Sequence, residues 1–167
     1  HFAEAYNNLG SVLKQSGSLT QAADYFQRAL TLNPSLATAY RNWGELLKEL
    51  HQLTEAIDYL QRALTLSPQD AITHALLADI FWEQGRLEEA MACYQQAVVF
   101  NPKLDWVHNN LGVILAKQGY LAEATECYQR AIELTPKFAE AYNNLGRVFD
   151  IQDQPNEAIK YYQHAIK

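Results

Sequence analysis

The chain has 167 residues, 49% of them apolar and 19% charged, a balance that supports a buried core and excludes a disordered polymer. Its net charge of -6 argues against a nucleic-acid partner, for which a basic face is expected. No apolar run approaches the roughly 18 residues of a membrane helix, so no membrane insertion is expected.

Taken from the start, His1 leads straight into a periodic pattern with no signal peptide. The nine residues Phe2–Gly10 return unchanged as Phe138–Gly146, 136 positions later, which is four times 34. Pro34, Pro68, Pro102 and Pro136 keep the same spacing of 34 without an insertion or deletion. A fixed period of this size marks a stacked array of small units. The prolines divide the chain into units 3–36, 37–70, 71–104, 105–138 and an incomplete 139–167, a single array over 1–167.

Each unit holds two apolar-periodic segments of helix length, in the first unit roughly 4–16 and 20–32. Gly17, Gly85 and Gly119 stand at the turn between them, where a positive φ is expected, and His51 and Asp153 take that place in units two and five. Each proline stops the second helix, since it lacks an N–H and clashes with the preceding turn. Pro155 is expected in the first turn of its helix.

Small residues recur where helices must approach closely. Gly10, Gly44, Ala78, Gly112 and Gly146 mark the first helices; Ala22, Ala56, Ala90, Ala124 and Ala158 mark the second. Ala29, Ala63, Ala97, Ala131 and Ala165 follow in the later half of the second helices. Large residues face them: Leu9, Trp43, Leu77, Leu111 and Leu145 on the first helices, with Phe26, Leu60, Tyr94, Tyr128 and Tyr162 on the second. Such alternation lets helix pairs interlock at native density.

The pattern Tyr6, Leu9-Gly10, Leu13, Ala22, Phe26, Ala29, Pro34 resembles the tetratricopeptide repeat over essentially the whole chain. Departures are Ala78 for glycine, His74 and His108 for the aromatic residue, and Pro155. The resemblance implies an all-α fold: a right-handed superhelical solenoid of five helix-turn-helix units, first helices lining a concave face and second helices a convex one.

After packing, one face of each first helix is left over. It carries Asn8, Asn42, Leu76, Asn110 and Asn144 at one position, and Asn7, Arg41, Asn109 and Asn143 at the neighbouring one. A side-chain amide offers one acceptor and two donors. Rungs about 10 Å apart match about three residues of extended chain at ~3.3 Å each. Such a ladder would hold an extended peptide by its backbone; alternatively, the amides only solvate the groove or bond neighbouring helices. The Asn-Leu-Gly form is most similar to the repeat arrays of protein O-GlcNAc transferases and related bacterial repeat proteins, where the resemblance implies that such a ladder grips client peptides.

Leu76 interrupts the ladder. Together with Ile72, Ala75, Asp79, Trp82, Trp106 and Val113 it suggests an apolar patch, either a pocket for a ligand side chain or ordinary core. The lysines and arginine with which chaperone-binding repeat domains clamp a terminal carboxylate are missing, since Asn7, Ser11, Asn42, Ile72 and Leu76 occupy those places.

Chemistry is not expected. No phosphate loop, nucleophile turn or Cys-x-x-Cys is present, and the chain calls for no cofactor and no metal. His74 and His108, one repeat apart, are too distant to share a zinc ion at ~2.0–2.1 Å ligand distances. Glu88-Glu89 suits a helix start. Cys93 and Cys127 replace the tyrosine seen at 25, 59 and 161, and at ~10 Å helix spacing they are thiols rather than a disulfide, which suits a reducing, cytoplasmic compartment.

His1 and Phe2 match Lys137 and Phe138, and the chain stops at Lys167 before a closing proline, as a piece of a longer array would. One chain's start would stack on another's end, a head-to-tail contact that builds an open filament. The leading expectation is a non-catalytic scaffold binding a protein or peptide in its groove. The alternatives are the substrate-selecting arm of a larger enzyme, a glycosyltransferase foremost, and a self-assembling array.

Overall fold

The computed structural model describes residues Phe2–Lys167; the match of His1 to Lys137 lies outside them. Ten α-helices run through the described residues: α1 (Phe2–Gln15), α2 (Leu19–Leu32), α3 (Ala37–Glu49), α4 (Leu53–Leu66), α5 (Ala71–Glu83), α6 (Leu87–Phe100), α7 (Asp105–Lys117), α8 (Leu121–Leu134), α9 (Ala139–Ile151) and α10 (Pro155–Ala165). They are the two helices per unit that the 3.6-residue periodicity predicts, and no strand occurs among the described residues.

The stops between helices have the predicted causes. All five turns inside a unit place one residue in the left-handed region: Gly17, Gly85 and Gly119 at φ 73–88°, His51 at 58° and Asp153 at 57°. The residue before each recurring proline is extended, as its ring requires. Asn33, for example, sits at φ -140°, ψ 91° and donates its N–H to the Ala29 carbonyl. Asn33 Oδ1 then accepts from the Ser35 N–H at 3.0 Å, and Asn101 Oδ1 from the Lys103 N–H at 3.1 Å, turning the chain toward the next helix. Pro155 opens α10, where its missing N–H costs nothing.

The chain forms two compact units that meet between Gln84 and Gly85, inside the third repeat. In the first, α1 pairs with α2 and α3 with α4; α2 packs on α3, α4 on α5, and the first helices α1, α3 and α5 touch in succession. In the second, α7 pairs with α8 and α9 with α10, α6 packs on α7, α8 on α9, and α7 touches α9.

The small-against-large pattern explains these pairs. A Cβ added to Gly44 would lie 2.7 Å from Leu60, and one on Gly112 would lie 2.7 Å from the Tyr128 ring. Ala22, Ala56, Ala90, Ala124 and Ala158 are buried, and Phe26, Leu60, Tyr94 and Tyr128 with them. Three of the expected large residues differ, Tyr162 among them, which is half-buried. Leu9 is 42% exposed, and Trp43 is half-buried with its ring stacked on Tyr59 at a centroid distance of 4.8 Å.

Candidate functional site

The leftover faces of the first helices bring the asparagines together by direct bonds. In the first unit Asn42 Nδ2 donates to Asn7 Oδ1 at 2.9 Å and to Ser11 Oγ at 3.0 Å. In the second, Asn144 Nδ2 donates to Asn109 Oδ1 at 3.0 Å, and Asn109 Nδ2 reaches Glu140 Oε1 at 3.2 Å. Asn110 Nδ2 donates to the Tyr94 hydroxyl at 3.2 Å. Asn109 has no exposed surface, and Asn7 and Asn144 are buried, whereas Asn8 and Asn143 are exposed and Asn42 and Asn110 half-buried. The two asparagine positions thus join successive first helices while keeping part of the row open. Leaving one such buried amide unpaired would cost about 1–3 kcal/mol.

Charged residues follow the same register. Lys14 on α1 meets Glu45 at 2.8 Å and Glu49 at 3.1 Å on α3; Lys48 on α3 meets Asp79 at 2.6 Å and Glu83 at 3.9 Å on α5. In every one of these pairs, as in the asparagine bonds between first helices, the two residues lie 31 or 35 positions apart in the chain. A residue on one first helix therefore straddles two residues one turn apart on the next. Arg41 pairs with Asp70 at 2.9 Å, and Asp70 also caps α5 by accepting from the Ile72 N–H and the Thr73 hydroxyl. The ion pairs were not foreseen from the sequence, although the signal existed as polar pairs recurring at those two offsets; amides that bond neighbouring helices were one of its two readings of the row.

The apolar positions divide between the units. On α5, Leu76 and Ala75 are buried while Ile72 and Trp82 are half-buried; on α7, Trp106 and Val113 are half-buried. α5 is the most apolar helix, with Ala71, Thr73, Ala75, Leu76, Leu77, Ala78, Ile80 and Phe81 all buried. Leu76 thus has core burial, and Ile72, Trp82, Trp106 and Val113 keep partial exposure.

His74 and His108 bond backbone carbonyls. Their Nε2 atoms lie 3.0 Å from the Pro68 carbonyl and 3.1 Å from the Pro102 carbonyl, so each imidazole donates across its own turn. Among the described residues no three His, Cys, Asp or Glu side chains converge as metal ligands. Elsewhere the histidine position carries tyrosine, in ring contact with the tyrosine 19 positions on: Tyr6 with Tyr25 at 5.9 Å, Tyr40 with Tyr59 at 6.0 Å and Tyr142 with Tyr161 at 6.5 Å. In repeats three and four both members change together, to His74 and Cys93 and to His108 and Cys127. Cys93 and Cys127 are half-buried free thiols. Burial first, then Glu126 and Glu123, pushes the Cys127 thiol up to about 11; burial and Glu89 raise Cys93. This is the reverse of the lowered value that a nucleophilic thiolate needs.

With this geometry established, comparison with known proteins gives one consistent answer. The crystal structure of MamA superposes with a TM-score of 0.83 at 21% identity, covering 94% of this chain and 92% of that one. YrrB, described as a TPR protein with an unusual peptide-binding site, gives 0.78 at 25% identity, covering 96% and 83%. PilF of Pseudomonas aeruginosa gives 0.91 at 22% identity, covering 98% and 75%. No curated protein sequence matches the chain. The fold is the all-α helical-repeat solenoid of tetratricopeptide proteins. The family described as the cilia and flagella-associated protein 70 C-terminal domain matches residues 2–167, and the chain belongs to this tetratricopeptide family.

Proposed function

We propose that the chain is a protein-binding scaffold whose first-helix faces hold an extended peptide through the asparagine row. The fold is of the kind typical of protein–protein interaction scaffolds, and YrrB, 25% identical, is described as having a peptide-binding site. The observation that carries the reading is exposure within an otherwise bonded row. Asn8 and Asn143 are open to solvent, and Asn42 and Asn110 half-open, on faces whose other polar groups are tied between helices. Asn7 and Asn109 serve this surface from beneath, and Asn144 is held on it by its bond to Asn109. The partly exposed Arg41 and Ile72 in the first compact unit, with Leu76 buried beneath them, and Trp106 and Val113 in the second would supply selectivity for side chains. The raised Cys127 thiol and the backbone-bonded histidines support a scaffold without chemistry of its own.

Selection from displayed random decapeptides tests this reading. Replacing Asn8 and Asn143 by alanine removes exposed amides without breaking a bond between helices. The double variant should keep its stability within about 0.5 kcal/mol yet lose the peptides that the unaltered chain enriches. Equal enrichment by both chains would reject the asparagine row as the binding feature.

A further inference from the structure

The hydrogen bonds around the row fix which edge of each amide faces outward. Ser11 Oγ lies 3.1 Å from the Asn7 backbone carbonyl, which only accepts, so the hydroxyl proton is committed there. Ser11 Oγ must then accept from Asn42, which places Nδ2 on that side. The second Asn42 proton goes to Asn7 Oδ1. Both donors of Asn42 are spent inside the fold, while its Oδ1 has no partner among the described residues and is not enclosed.

The second unit reaches the same polarity by another route. Glu140 is a carboxylate and only accepts, so the Asn109 edge facing it is Nδ2. Asn109 Oδ1 therefore lies on the other edge and accepts from Asn144 Nδ2. Asn144 Oδ1 is again without a partner among the described residues and not enclosed.

We infer that Ser11 and Glu140 are positioning residues that turn the carbonyl edges of Asn42 and Asn144 outward, so that each unit reads a bound chain through its backbone N–H groups. The inference rests on the peptide-binding reading above and adds the chemistry of recognition: the ligand presents donors, and proline or an N-methylated residue is refused at these rungs.

Two measurements test it. In the chain alone, side-chain amide exchange followed by NMR should show both Asn42 protons protected relative to the exposed Asn8 amide. Ser11→Ala should lower that protection about fivefold, the loss of one hydrogen bond. Exchange of Asn42 as fast as Asn8 would overturn the assigned orientation. In the second measurement, an enriched decapeptide is methylated at one backbone nitrogen at a time. Methylation at the nitrogen facing Asn42 or Asn144 should weaken binding about fivefold, and Ser11→Ala should erase that discrimination at the Asn42 rung. If every methylated peptide binds like its parent while Asn8→Ala/Asn143→Ala still abolishes binding, the polarity is wrong and the groove reading stands. If no decapeptide is enriched, the groove reading fails and the N–H recognition falls with it.

Discussion

His51 and Asp153 stand in left-handed backbone at φ 58° and 57°, where the other three repeats use glycine. A side chain there brings Cβ against the following carbonyl, at roughly 1–2 kcal/mol, part of which glycine's own unfolded-state entropy would offset. His51→Gly and Asp153→Gly should therefore each stabilise the chain by about 0.5–1 kcal/mol, read as a higher urea midpoint at unchanged slope; a lower midpoint would show that the side chain contributes a contact that outweighs the backbone cost. The same scale shows how far single residues could be read from sequence. The turn position was legible because glycine, histidine and aspartate fall in one register. The use of Asn109 as a buried joint, as distinct from the exposed Asn143 at the same position one repeat later, was not, since equivalent asparagines differ only in how a neighbouring helix leans over them.

At the scale of the element, helix pairs depend on glycine set against a large residue. Gly112→Ala would place a Cβ 2.7 Å from Tyr128 Cε1, on a ring held among buried neighbours. The helical preference of alanine over glycine returns about 1 kcal/mol, against an overpacking cost of typically 1–3 kcal/mol. A net loss of about 1–2 kcal/mol is expected in urea denaturation, and a variant as stable as the parent would mean that α7 and α8 can separate freely. Ala78 occupies the corresponding site in repeat three and is itself fully buried, so that repeat has adapted to the extra methyl. The two helix boundaries read for the first repeat were legible to within two residues because proline, glycine and apolar spacing act locally. The bonds from Lys14 to Glu45 and from Asn7 to Asn42 were not, because they depend on how successive first helices are staggered.

Over the whole molecule, the raised acids gather on second helices: Tyr59 on α4, Cys93 on α6, and Cys127 and Tyr128 on α8. Burial is the leading cause in each case. The folded chain keeps these protons at a pH where the unfolded chain releases them, so the unfolded state binds fewer protons and stability falls as pH rises. This stabilisation is complete below the ordinary thiol value of 9.0 and is lost as pH climbs toward about 11 for Cys127. Urea midpoints should be steady up to about pH 8 and drop steeply between pH 9 and 11; Cys127→Ala should show a shallower drop, and an unchanged profile would remove Cys127 as a contributor.

The two offsets of 31 and 35 leave the polar seams within each unit no slack. A single residue inserted into α3 would rotate everything after it by about 100° and slide it by about 1.5 Å. Placed ahead of Asn42, it would carry Asn42 off Asn7 and Glu45 off Lys14 in the same step. Such a chain drifts by swapping teeth and not by adding them, which gives a mechanical reason why four prolines keep a spacing of 34 from Pro34 to Pro136.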